Sequence, residues 1–380
     1  MNKEMIVGIV MELNPLHNGH KYLIEKIKND YPNTKIVVIT SGYFTMRGEV
    51  SILSKDEKVK QLLKLGIDLI LELPIDQTLN SAEMFAEKAI NILSCVGITH
   101  LAFGTENASI DEFLEIVKLT KDTAFNKDIK EKTKTMGLKL AFSEVIKQYT
   151  NNVYLANLTS SANNVLGIEY LKAIENKSIK PIIINRIGND ESDESMNSPY
   201  PSGTALRKAF YNNIDINNYI PYSFELLNHI NEDILLKHFL SLLINQDFYK
   251  TNYHTKEGIE NYIFNSLNKL FDDKLSLNTL IDKLANKKYT KSRIRRQLLI
   301  LSLSIKNNES KKVRILGFNN NGINLIKKNS DIEFFSSLKD ADVAYYDNEI
   351  AAATLYSLIT NKDYRKKEFL YPIKEEIWKN

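Results

Sequence analysis

Two histidines around a glycine are the first residues of this chain that could do chemistry. His17 and His20 flank Asn18-Gly19 within Glu12-Leu13-Asn14-Pro15-Leu16-His17-Asn18-Gly19-His20. At a spacing of three, two imidazoles share one side of a helical turn and can face one ligand. A helix N-terminus offers N–H groups that lack intrahelical partners, which suits a phosphate. Imidazoles held there can donate to phosphate oxygens and stabilise the charge that develops when phosphorus is attacked. Gly19 lets backbone approach a ligand with no Cβ in the way. A zinc pair is the competing reading. It wants a third ligand, and His100, His229, His238 and His254 show no ligand spacing. No metal held by protein side chains is therefore expected.

Such a motif works only between a strand and a helix. Residues 6–11 are a short apolar run, and residues 19–30 carry helical periodicity. Residues 36–40, 68–73 and 100–103 are further strand candidates, and 55–65 and 80–96 read as helices. This alternation predicts an α/β fold, a parallel sheet with crossover helices. Its ligands bind beyond the carboxyl ends of the strands. The places to search are thus 12–20, 41–48, 74–80 and 104–107.

Residues 108–150 read as helical, 180–185 as a strand, and 188–201 as a polar loop carrying Asp190, Glu191, Asp193 and Glu194. A helix is expected from 204 to 211 and a helical region from 220 to 305. A linker at 307–312 and short strands at 313–318 and 342–346 follow. Three units are expected: 1–215, 216–308 and a small α/β unit at 309–380.

The bulk composition sets bounds. With 43% hydrophobic and 26% charged residues the 380-residue chain can bury a sizeable core. A formal charge of +3 gives no global field toward nucleic acid, so a polyanion must be met by a local patch. The single cysteine, Cys95, excludes an internal disulfide and fits a reducing cytoplasm. Its apolar helical surroundings predict packing. No apolar run reaches the ~20 residues of a membrane span.

Histidine, any residue, glycine, histidine after a first strand resembles the signature of the HxGH nucleotidyltransferase superfamily. That class includes coenzyme adenylyltransferases and class I aminoacyl-tRNA synthetases. The resemblance implies a Rossmann-like domain and attack on the α-phosphorus of ATP, with His17 and His20 catalytic. A narrower resemblance runs along most of the chain. It rests on residues 7–20, Ser41-Gly42-Tyr43-Phe44-Thr45-Met46-Arg47-Gly48-Glu49, Leu71-Glu72-Leu73-Pro74 and Phe103-Gly104-Thr105-Glu106. It continues in Asn163-Asn164-Val165-Leu166-Gly167, Arg186-Ile187-Gly188 and Tyr289-Thr290-Lys291-Ser292-Arg293-Ile294-Arg295-Arg296. These segments are similar to the bacterial tRNA(Met) cytidine acetate ligases. The family pattern differs at Thr105, Ala162 and Gly203, and none of these changes removes a charge or an imidazole.

This second resemblance implies an enzyme that joins acetate to ATP as acetyl-adenylate, with magnesium. The acetyl group then passes to the wobble cytidine of elongator tRNA(Met). It implies an ATP site over Val7, Gly8, Ile9, Val10, Met11, Glu12, Leu13, Asn14, Pro15, Leu16, His17, Asn18, Gly19 and His20. Gly104, Asn163, Asn164, Arg186 and Ile187 would complete it. Gly104 can lay bare backbone against a base or ribose, and the asparagine amides can read base or ribose edges. Arg186 brings a fork of donors. Ser202 and Thr204 at a helix start, and Arg47 and Lys55 near the end of the second strand, are anion contacts to test. Between Asp282 and Arg296 lie Lys283, Lys287, Lys288, Lys291, Arg293, Arg295 and Arg296, with Tyr289 interleaved. Cations at this density suit a phosphate backbone, and an aromatic can stack on a base. Lys291, Arg293, Arg295 and Arg296 are the expected tRNA contacts. Glu12 and Glu106 are the acids available as a general base.

Two other functions share the motif. A cofactor adenylyltransferase leaves the basic segment unexplained. A non-catalytic, nucleotide-dependent RNA-binding protein needs the same pocket and patch, and pyrophosphate release separates it from an enzyme.

Overall fold

Residues Lys35–Ser41 form a strand, β2, whose alternate side chains serve two cores. Val37 and Ile39 enter one, Ile36 and Val38 the other, and none of the four is exposed. A strand buried on both faces is what a parallel sheet between helices requires. The computed structural model describes residues 4–187, 195–246, 248–249, 258–270, 275–308, 310–329 and 332–375. Its other strands are β1 (Ile6–Met11), β3 (Leu69–Leu73), β4 (His100–Thr105), β5 (Lys180–Asn185), β6 (Val313–Phe318), β7 (Phe334–Phe335) and β8 (Ile373–Lys374). The sheet order is β5-β4-β1-β2-β3-β6-β7, with β8 also on β6. The five strands from β5 to β3 are parallel. The order reverses between β1 and β4, and a ligand crevice forms at such a switch point.

Helices Asn18–Asp30 and Lys55–Lys64 cover one face through Ile24, Ile27, Val59 and Leu62. Helices Ala82–Cys95 and Ala162–Ile174 cover the other through Phe85, Ile90, Ile168 and Leu171. A third core joins Tyr43 and Phe44 to helices Ile259–Leu270, Leu277–Leu284 and Lys291–Ser302.

Three expectations change. Residues 342–346 are not a strand. They open the helix Val343–Thr360, which buries Tyr345, Glu349, Ala352, Tyr356 and Ile359 at helical spacing. The tail after 308 is not a separate unit either. β6 pairs antiparallel with β3, and Ala352, Ala353, Leu355 and Tyr356 enter the helical core. Cys95, the last residue of its helix, faces solvent rather than packing. The acidic residues Asp190, Glu191, Asp193 and Glu194 lie outside the described residues. Among those described, no helix is long and apolar enough to cross a membrane.

Candidate active site

The chain leaves β1 through Leu13, whose φ of 57° is left-handed, and turns into the helix that begins at Asn18. A leucine rarely adopts that conformation, so the surrounding contacts hold it there. Asn14 supplies several. Its Oδ1 accepts the Ile52 N–H at 2.9 Å, and its Nδ2 donates to the Val50 carbonyl at 3.3 Å. An amide side chain thus ties the loop after β2 to the end of β1.

His17 caps the helix. Its Nδ1 accepts the Gly19 N–H at 3.0 Å, and His20 Nδ1 accepts the His17 N–H at 3.2 Å. A Cβ at residue 19 would lie 2.8 Å from His17 Cε1, so glycine makes room for the imidazole as much as for a ligand. Burial holds His17 well below its ordinary pKa, helped by His20, Arg186 and Arg207. Burial and Arg186 bring His20 down to about 3. Both rings are therefore neutral near pH 7. With each Nδ1 accepting a backbone N–H, the remaining proton sits on Nε2. Two Nε2–H donors result, fixed in tautomer by the backbone of their own helix start.

Both residues line a cleft of about 220 Å³ at the switch point. Its wall includes Ile9 to Pro15, Gly19, Gly104, Asn163, Arg186, Ile187 and Thr204. Arg47 and Arg207 join Arg186 on its lining. Arg207 donates to the Asn14 carbonyl at 2.7 Å and pairs with Glu49 at 3.1 Å. The stem of Arg186 crosses Gly104, where a Cβ would meet its Cγ at 3.2 Å. Neutral donors beside three guanidinium groups make a site for a polyanion.

Several expected contacts stand behind this wall. Val7 and Leu16 are core, and a Cβ on Gly8 would strike Ile98 at 2.7 Å. Asn18 donates to the Asn218 carbonyl. Asn164 is buried, accepts the Glu106 N–H and donates to the Glu106 carbonyl. Asn163 lines the cleft and donates to the Glu106 carboxylate at 2.8 Å. Ser202 is a buried cap that accepts the Ala205 N–H. Sequence reading missed the apolar wall of Phe85, Phe103, Leu166 and Tyr170, because these residues carry the same periodicity as core.

Lys55 is the clearest correction. It is fully buried, and its Nζ lies 3.1 Å from Glu349 and 2.9 Å from Glu368, with Glu72 also in contact. Arg314 pairs with Glu72 and Glu368 at 2.8 and 2.7 Å. Among the described residues only Glu72, Glu349 and Glu368 are spaced to share a metal ion. Lys55 and Arg314 already supply positive charge there, so Lys55 is not a phosphate contact.

The basic helix Lys291–Ser302 abuts the cleft. Gly48 has φ 71°, and a Cβ there would lie 2.7 Å from Arg296 N. Arg296 donates to the Met46 carbonyl at 3.3 Å and is half-buried. Arg295 is likewise half-buried, and Lys291 is exposed and paired with Asp282. Tyr289 is buried against Tyr262, with Arg293 over its ring, so it is not the stacking aromatic expected.

A parallel sheet with paired Nε2–H donors at its switch point defines a nucleotidyl transferase of the HIGH class, and the HIGH Nucleotidyl Transferase model matches residues 4–369. A tRNA(Met) cytidine acetate ligase of Caldicellulosiruptor bescii is 34% identical over 88% of this chain and 87% of that protein. One of Oceanobacillus iheyensis is 30% identical over 94% and 96%. The chain belongs to the family of tRNA(Met) cytidine acetate ligases. The crystal structure of Thermotoga maritima TmcAL shares the fold, with a TM-score of 0.82 at 22% identity over 97% of this chain and 99% of that one. A second form of that protein is bound with alpha-thio ATP.

Proposed function

We propose that this chain activates acetate with ATP as acetyl-adenylate and transfers the acetyl group to N4 of the wobble cytidine in elongator tRNA(Met). The observation that carries this reading is the pair of backbone-fixed Nε2–H donors lining a cleft rimmed by Arg47, Arg186 and Arg207. An acetate oxygen attacks the α-phosphorus and pyrophosphate leaves. His17 and His20 donate to the phosphoryl oxygens as charge builds, and being neutral they do so without giving up a proton. Asn163 and Gly104 on the cleft wall would meet base or ribose. Magnesium bound to the triphosphate would neutralise the leaving pyrophosphate. The apolar wall keeps water from the mixed anhydride. Contact between the basic helix and the cleft loop favours an RNA substrate over a second mononucleotide.

Incubation with ATP, labelled acetate and unmodified tRNA(Met), followed by nucleoside analysis, tests this. Labelled N4-acetylcytidine with pyrophosphate and AMP is expected. Acetylation from acetyl-coenzyme A instead, or a dinucleotide product, overturns it.

A further inference from the structure

We propose that Glu12 is the general base of acetyl transfer and that Arg296, acting through Met46, is the residue that positions it. This deepens the ligase reading and rests on it. Glu12 follows β1 directly, lines the cleft, and is half-buried. Its Oε1 accepts the Met46 N–H at 2.5 Å, while the carbonyl of the same residue accepts from Arg296. Gly48 lies against the backbone of Arg295 and Arg296, so the loop is packed directly on the basic helix. One residue of that loop thus joins the helix expected to meet tRNA to a carboxylate inside the cleft.

Other groups are poorly placed for the role. His17 and His20 have each Nδ1 occupied by a backbone N–H and a proton on Nε2, so they donate rather than accept. Glu106 does not line the cleft, and its carboxylate takes the Asn163 amide beside Arg186 at 3.7 Å. Lys58 is fully buried, with Nζ donating to the carbonyls of Ser41 and Gly42. Charged or titratable groups that face Glu12 are Lys58, Arg47, Glu49 and Tyr170. Burial pushes the Glu12 carboxyl up to about 7, against the Met46 N–H, Lys58 and Arg47. A base near the working pH accepts protons most effectively.

In the transfer step the cytidine N4 forms a bond to the acetyl carbon. The bond from that carbon to the adenylate oxygen breaks, AMP leaves with the electron pair, and one N4 proton passes to Glu12. Glu12 later returns it to water.

The test separates the half-reactions in the full-length chain. Acetate-dependent exchange of pyrophosphate into ATP reports the first. Single-turnover acetylation of tRNA(Met) from preformed acetyl-adenylate reports the second. Glu12→Gln is expected to lower transfer by ~10²–10⁴, a larger factor than its effect on exchange. Parent transfer should rise with pH through a midpoint near 7, because only the deprotonated carboxylate accepts. Arg296→Ala should loosen the Met46 N–H bond to the carboxylate and move that midpoint upward, and Arg296→Lys should restore it. A purely structural role would lower both half-reactions with the midpoint unmoved. Transfer by Glu12→Gln within about threefold of the parent, equal loss of both half-reactions, or a flat parent profile from about pH 5.5 to 8.5 overturns the base. The parent profile and the Arg296 variants decide the matter even if Glu12→Gln does not fold. A parent that makes no acetylcytidine overturns the ligase reading itself.

Discussion

The cleft and the cage around Lys55 use similar residue types to opposite ends. In the cleft, Arg186, Arg207 and two imidazoles are packed so that donors remain on an open surface. In the cage, Lys55 and Arg314 meet Glu72, Glu349 and Glu368 with no solvent-exposed side chain among the cations. Burial pushes the Glu349 carboxyl upward, reinforced by Glu72 and Glu368 and opposed by Lys55 and the Ile75 N–H. A cation is available to a ligand only where the fold leaves its counter-charges incomplete. That property belongs to the assembled molecule and not to any local motif.

The largest effect should come from opening the cage. Lys55→Ala leaves buried carboxylates without their central cation, and breaking a buried pair typically costs about 3–5 kcal/mol. A urea melt should show that loss. A variant within about 1 kcal/mol of the parent would mean that the cage is not a fold element, removing the contrast with the cleft.

Next is the cleft. His17→Ala and His20→Ala should each lower acetate-dependent pyrophosphate exchange by ~10²–10³ and, because both rings also cap their helix, cost about 1 kcal/mol of stability. Activity of both variants within a few-fold of the parent would erase the distinction from the other side.

The smallest effect divides the basic helix itself. Arg295→Ala should weaken tRNA binding and reduce the slope of log affinity against log salt by ~0.7–0.9, with exchange preserved. Arg296 is engaged on the cleft loop, so Arg296→Ala should alter acetyl transfer at any salt concentration. If Arg295→Ala and Arg296→Ala behave alike in both assays, the bond to the Met46 carbonyl is not what sorts these cations.

What the sequence discloses follows the same line. The strand before His17, the helix after it, and the glycine between the imidazoles are local, and local periodicity reveals them. The parallel sheet follows from alternating strands and helices, whereas the strand order that sets the switch point does not. Lys55 could not be placed that way. It is a lysine near a strand end like any phosphate ligand, and its partners Glu349 and Glu368 lie about 300 residues on. Tyr289 failed likewise: an aromatic among cations reads as an RNA contact until Tyr262 is seen to cover it. The run at 342–346 is too short for periodicity to separate a strand from the first turn of a long helix.

The antiparallel seat of β6 beside β3 also orders events during synthesis. Chains are made from the N-terminus, and early segments begin to collapse before later ones exist. β1 to β5 can assemble while the segment carrying Arg314, Glu349 and Glu368 is still inside the ribosome. During that interval β3 has an open edge, and Lys55 has only Glu72 of its eventual carboxylate partners. The nucleotide-binding half of a nascent chain is therefore held short of its final packing until its last fifth emerges. Translation itself delays the closure of the catalytic domain.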